Sequence, residues 1–178
     1  MRALSVAAVL FAVVAVGGCG GKPEFKKFTS PVGKFSAEFP GTPKESWQTI
    51  FRNLNLFAMD IEGTKLHTFS VEEREGTYTV GYADLDDKKL KADFTYTIKS
   101  SADLQGETGA NSFNSESKIA LGGKHPGLEL GAAGPQREGV VRAYIVGARL
   151  YQVKVVGSKS FVESAEAKRF LDSLELTN

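Results

Sequence analysis

The sequence predicts an α+β fold, an antiparallel β-sheet flanked by helices, and three observations carry that expectation. Apolar and polar residues alternate with period two through most of the chain from Phe28 onward, the pattern of half-buried strands. Turn residues cut the alternation into short runs, which favours antiparallel neighbours over crossovers. Only residues 86–105 and the segment after Gly157 carry the three-to-four-residue spacing of an amphipathic helix.

The first element precedes that domain. Met1 and Arg2 give a minimal positive start, and residues 3–16 form an uncharged run broken only by Ser5 and followed by Gly17-Gly18. A bilayer core needs about 20 apolar residues, so this run reads as a secretory signal and not as a spanning helix. Val16-Gly17-Gly18-Cys19 resembles the lipobox of bacterial lipoproteins, in which an aliphatic and two small residues precede the cysteine that becomes the mature N-terminus. Cleavage is then expected between Gly18 and Cys19, with Cys19 taking diacylglycerol as a thioether and further acyl chains such as palmitate. Two or more chains give stable anchoring where one does not. The expected location is the cell envelope, anchored to a membrane without crossing it, and Gly20 is consistent with outer-membrane sorting.

These readings divide the chain into a signal at 1–18, a lipidated cysteine and short tether at 19–27, and a single α+β domain at 28–178. Cys19 is the only cysteine, so no intrachain disulfide can form and the fold must hold by its core. A chain of this length can bury roughly 70% of its unfolded surface. Without Arg2 the 22 basic side chains fall to 21, equal to the 21 acidic ones and interspersed with them. That balance argues against nucleic acid, which calls for a basic stripe. The tether GGKPEFKK has a flexible reach of about 15 Å, and Lys22, Lys26 and Lys27 can add weak attraction to anionic headgroups.

Along the domain, GKFSAEFPGTP places Phe35, Ala37 and Phe39 on one strand face before Pro40-Gly41 stops it. ESWQTIF puts Trp47, Thr49 and Phe51 on a common side. Residues 66–71 alternate and turn at Glu75-Gly76 into TYTVGYADL, a hairpin. In 86–105, Leu90, Phe94, Ile98 and Ala102 recur every four residues behind the capping acids Asp86 and Asp87, which predicts a helix ending at Gly106. NSFNSESKIALGG resumes as a strand, GKHPG breaks it, and LELGAA starts another. VVRAYIVGARLYQVKVVG folds into a hairpin at Gly147-Ala148-Arg149. Ser158 or Ser160 then caps one final helix carrying Ala167, Phe170, Leu171 and Leu174. All strands are expected in one sheet.

The chemistry-bearing residues do not assemble into a recognisable motif. His67 and His125 lie far apart in sequence, one in a strand and one in a turn, where a zinc site needs three or four close ligands. Asp84, Asp86 and Asp87 lack the calcium-loop spacing and precede three lysines, so helix capping is the expected role. Glu72, Glu73 and Glu75 surround a hairpin turn as solvated carboxylates. No Gly-x-Ser-x-Gly elbow occurs, and GGKHPG lacks the phosphate-loop order. Trp47, Tyr78, Tyr82, Tyr96, Tyr144 and Tyr151 are candidates for a binding face, with core filling the more common use. Neither a catalytic residue, a metal ligand nor a cofactor is therefore assigned.

With the elements in place, the chain resembles a family of short bacterial lipoproteins of unknown function, of planctomycete type, whose shared fold is similar to that of PsbP, an α/β/α sandwich around an antiparallel sheet. The residues that carry the likeness are GKFSAEFPGTPKE (33–45), YTVGYADL (78–85), GKHPGLEL (123–130), RAYIVGARLYQVKVVG (142–157) and AKRFLDSLEL (167–176). The resemblance implies a fold and an envelope location and brings no catalytic residues. The expected function is a non-catalytic, lipid-anchored module that binds an envelope protein or the cell wall. The alternative is a small-ligand or metal-ion binding module of PsbP-like type.

Overall fold

Antiparallel pairing organises the chain, but into two sheets where the alternation predicted one. The computed structural model describes residues 24–49, 64–85 and 104–177. The signal, Gly18, Cys19, Asp86, Asp87, Tyr96 and nearly all of the helix expected over 86–105 lie outside the described residues. The smaller sheet joins β1 (Lys26–Ser30), β2 (Phe35–Phe39) and β10 (Glu175–Leu176), with β2 in the middle. The larger is built from β3 (Lys44–Thr49), β4 (Lys65–Glu72), β5 (Gly76–Asp84), β6 (Ser115–Leu121), β7 (His125–Ala133), β8 (Glu138–Val146) and β9 (Arg149–Gly157). Its order is β3-β4-β5-β9-β8-β7-β6. Pro40-Gly41 interrupts pairing after Phe39, and the chain resumes at Lys44 in the other sheet.

Among the described residues helices are few, so the architecture there is mostly antiparallel β with short helices at its flanks. They are α1 (Leu104–Thr108), α2 (Lys159–Val162) and α3 (Ala165–Asp172). Gly106, expected to end the mid-chain helix, lies inside α1. The single C-terminal helix divides at Glu163-Ser164 because each half has its own serine cap. The Ser158 side chain accepts from the Phe161 N–H at 3.3 Å, and Ser164 accepts from the Ala167 N–H at 3.0 Å.

Two further boundaries move. The tether was expected to run to Lys27, but Lys26 and Lys27 already pair with Phe39 and Glu38 in the small sheet, and Phe25 meets Tyr78 edge-on at 6.0 Å. The aromatics flanking the two lysines hold them in the strand. His125, Pro126 and Gly127 belong to β7 and not to a turn, since they pair with Leu121, Ala120 and Ile119. The β8–β9 turn keeps only Gly147-Ala148, with Arg149 as the first residue of β9. Gly147 adopts φ 59°, the left-handed conformation that a two-residue hairpin turn asks of its first member.

The large sheet buries both faces. On the first, Phe69, Tyr78, Val80, Tyr82, Tyr151, Val153 and Val155 pack against Phe35, Ala37 and Phe39 of β2 and against Phe161, Phe170 and Leu171 of α2 and α3. On the second, Leu128, Leu130, Val141, Ala143, Leu150 and Val156 enclose Leu104 of α1. Phe35, Ala37 and Phe39 are all fully buried, as the alternation predicts.

Candidate functional site

Register decides what stands beside what at the open end of the large sheet. Trp47, His67, Tyr82, Tyr151 and Tyr144 occupy successive paired positions on β3, β4, β5, β9 and β8. Paired residues point to the same face, so five aromatic rings form one row across the sheet. Gly127 of β7 follows Tyr144 in the row, and a Cβ there would lie 2.4 Å from Tyr144 Cδ1. The glycine is therefore what lets the tyrosine lie flat over its neighbour strand.

The row passes from core to solvent. Tyr82, Tyr144 and Tyr151 are buried, whereas Trp47 is 61% exposed at the edge strand. His67 stacks on Tyr82 with ring centres 4.9 Å apart and planes within 5° of parallel. Arg149 lies over Tyr82 at 4.8 Å, and Lys65 over Trp47 at 5.0 Å. Burial pushes the Tyr82 phenol up, partly opposed by the Arg149 charge.

Arg149 ties this end together. Its Nε and Nη2 donate to the two Asp84 oxygens at 2.6 and 2.9 Å, and Nη1 donates to the Val32 carbonyl at 2.9 Å. The bond to Asp84 raises the guanidinium pKa further. Beside it the Tyr151 hydroxyl donates to the Gly33 carbonyl at 2.9 Å. The β1–β2 turn at residues 31–34 is thus clamped to the β8–β9 hairpin, with Val32 left 74% exposed and Lys34 at φ 54°. A cavity of about 400 Å³ lies there, lined by Lys34, Asp84, Arg149, Tyr151 and Thr177.

The residues singled out in the sequence disperse. His67 and His125 sit on β4 and β7, four strand spacings or about 19 Å apart. Asp84 is engaged by Arg149. Glu73 and Glu75 stay exposed in the β4–β5 turn, where Glu75 accepts from the Ser158 hydroxyl at 3.2 Å. Among the described residues no group of three His, Cys, Asp or Glu side chains converges on a point where a metal could sit. Of the aromatic candidates among them only Trp47 is exposed; Tyr78, Tyr82, Tyr144 and Tyr151 fill the core. Sequence reasoning missed Arg149, because its partners are 65 and 117 positions away.

At the level of sequence, no protein-family model and no curated protein matches this chain. The two antiparallel sheets with short flanking helices define a PsbP-like fold. Among solved structures, the chain is similar to cyanobacterial PsbP (CyanoP) from Synechocystis sp. PCC 6803, whose solution structure it matches with a TM-score of 0.54. The match covers 92% of this chain and 98% of that one at 8% identity, so it is a likeness of fold alone.

Proposed function

We propose that this protein is a non-catalytic, lipid-anchored module of the cell envelope, held to a membrane through acylated Cys19 and presenting the far end of its PsbP-like domain to a protein or cell-wall partner. One arrangement carries the reading: the chain reaches the fold at the end opposite the Trp47 row. β1 begins beside Phe39, and Phe25 packs on Tyr78, whereas Ser30 pairs with Phe35, whose ring meets Tyr82. Tyr78 and Tyr82 are four strand residues apart, about 13 Å along the sheet. Glu24 follows Cys19 by five residues, which span at most about 18 Å even when fully extended. An anchor at Cys19 would hold the proximal end against lipid and leave the distal end accessible.

The distal end has the composition of a contact surface. Val32 and Trp47 are the exposed large hydrophobics of the described residues; Lys65 lies over Trp47, and Arg149, paired with Asp84, donates to the Val32 carbonyl. An exposed aromatic anchor with a charged surround suits a protein interface.

The anchor is tested with Cys19→Ala and with globomycin: each should release the protein from the membrane fraction and abolish the acyl mass on the N-terminal peptide. Unchanged fractionation without acyl groups sinks the reading. A photo-crosslinker at Trp47 should capture a single envelope partner, whereas one at Glu24 should capture lipid. The alternative small-ligand or metal-ion module predicts a large thermal shift with one ion or metabolite and no captured partner.

A further inference from the structure

Polarity divides the second face of the large sheet. β7, β8 and β9 bury aliphatic side chains there, but β4 and β5 present Thr68, Ser70, Thr77 and Thr79, all half-buried. Threonine suits a strand by its β-branch, and valine would suit it equally. The hydroxyls are therefore not needed for strand formation.

They line a groove of about 260 Å³ together with Glu107, Arg137 and Lys154. Register builds it: Lys44, Ser70, Thr79 and Lys154 pair in succession across β3, β4, β5 and β9. Ser70 and Thr79 share a hydrogen bond of 3.0 Å. The Lys154 side chain is only 13% exposed and is held by Glu107 of α1. Among the described residues Arg137 donates a single bond, from Nη2 to the Val156 carbonyl at 3.3 Å.

The lining is rich in donors. Two cations and four hydroxyls face one carboxylate, and that carboxylate is already engaged by Lys154. Such a recess fits a ligand that only accepts, and among the described residues no aromatic ring lines it on which a neutral sugar could stack. The guanidinium fork adds geometric selectivity for paired oxygens.

We propose that this groove binds a small oxyanion of the phosphate or sulfate class. Arg137 and Lys154 supply the charge, and Thr77 and Thr79 supply hydroxyl donors. Glu107, on the exposed lip, occupies Lys154 until the anion displaces it. The site lies on the opposite face from the Trp47 row and depends neither on the lipid anchor nor on a distal partner.

Calorimetric titration of the detergent-solubilised full chain with inorganic phosphate, sulfate and glycerol 3-phosphate at constant ionic strength tests it. One saturable site is expected, with phosphate and the ester bound alike if the free ion is the ligand and the ester bound tighter if a phosphorylated metabolite or polymer is. Arg137→Gln should weaken binding roughly tenfold, the effect of losing one charge-assisted bond. Thr77→Val should weaken it severalfold while Tm holds or rises, and Lys118→Gln on β6 should change nothing. Non-saturating heats, no binding of any of the three, or equal loss in Lys118→Gln overturn the proposal. So does Thr77→Val with a lower Tm and unchanged affinity.

Discussion

Arg149 shows how much one side chain can organise. Its three donated bonds join β5, β9 and the β1–β2 turn, and its plane covers Tyr82. Because Asp84 is largely exposed, the ion pair itself contributes modestly; the bond to the Val32 carbonyl and the packing on Tyr82 add to it. Arg149→Ala should cost about 1–2 kcal/mol and Asp84→Asn less, read from urea unfolding of each variant. Tyr78 titrates at the other extreme. Burial, with the Glu73 and Glu166 charges adding, pushes it from 10.0 up to about 12. A value raised in the folded state contributes stability that is fully present below pH 10 and is lost as pH rises through about 12. Tyrosinate absorbance should therefore appear together with loss of circular dichroism on alkaline titration; free ionisation of Tyr78 in an intact fold contradicts its burial.

Elements end where local chemistry offers the backbone another partner. Ser164 starts α3 anew by accepting the Ala167 N–H, so Ser164→Ala should cost about 1 kcal/mol of unfolding free energy, measured by denaturant titration. At Gly127 the limit is space, not caps. A methyl group would sit 2.4 Å from Tyr144 Cδ1 and 2.5 Å from the Ala143 carbonyl oxygen. Gly127→Ala should cost at least about 1–3 kcal/mol and shift the Tyr144 ring resonances; a neutral result would mean the row is not packed as described. The small sheet is tied to α3 by Arg169–Glu38 at 2.7 Å and to its own edge by Lys27–Glu175. Bonding to these cations holds both carboxyls below the usual range. What they contribute is present above the ordinary carboxylate range and fades as pH falls through their lowered values.

Strands were legible because each buries a face whose period is two, as Phe35, Ala37 and Phe39 show. Hairpins were legible from their turns. The split of the last helix was not, since the sequence predicts a cap only at Ser158 or Ser160, and Ser164 acts as a second cap once Phe161 and Phe170 are packed. Nor was the hydroxyl groove, although Thr68, Ser70, Thr77 and Thr79 at alternate positions are a signal that could have marked it.

At the scale of the whole molecule, one aromatic core joins the two sheets. Phe28, Phe35 and Phe69 lie within 5.2 to 6.3 Å of one another, and Phe39 meets Phe170 at 5.1 Å. Phe35→Ala should cost about 3–5 kcal/mol and unfold both sheets in one transition, because its cavity lies between them. Separate transitions by calorimetry would show that the small sheet folds apart from the large one. The same packing orients the domain, with β1 entering at the Tyr78 end and the Trp47 row at the other.

The alternation of side chains and the chemistry of the turns are local properties, and the sequence by itself determined the antiparallel β character and nearly every strand of the large sheet. Which strands share a sheet, which face of β4 and β5 stays polar, and which partners Arg149 finds depend on residues brought together from up to 117 positions apart. Those were decided only in the tertiary structure, because the energy that selects them is the burial and register of surfaces that do not exist until the chain has folded.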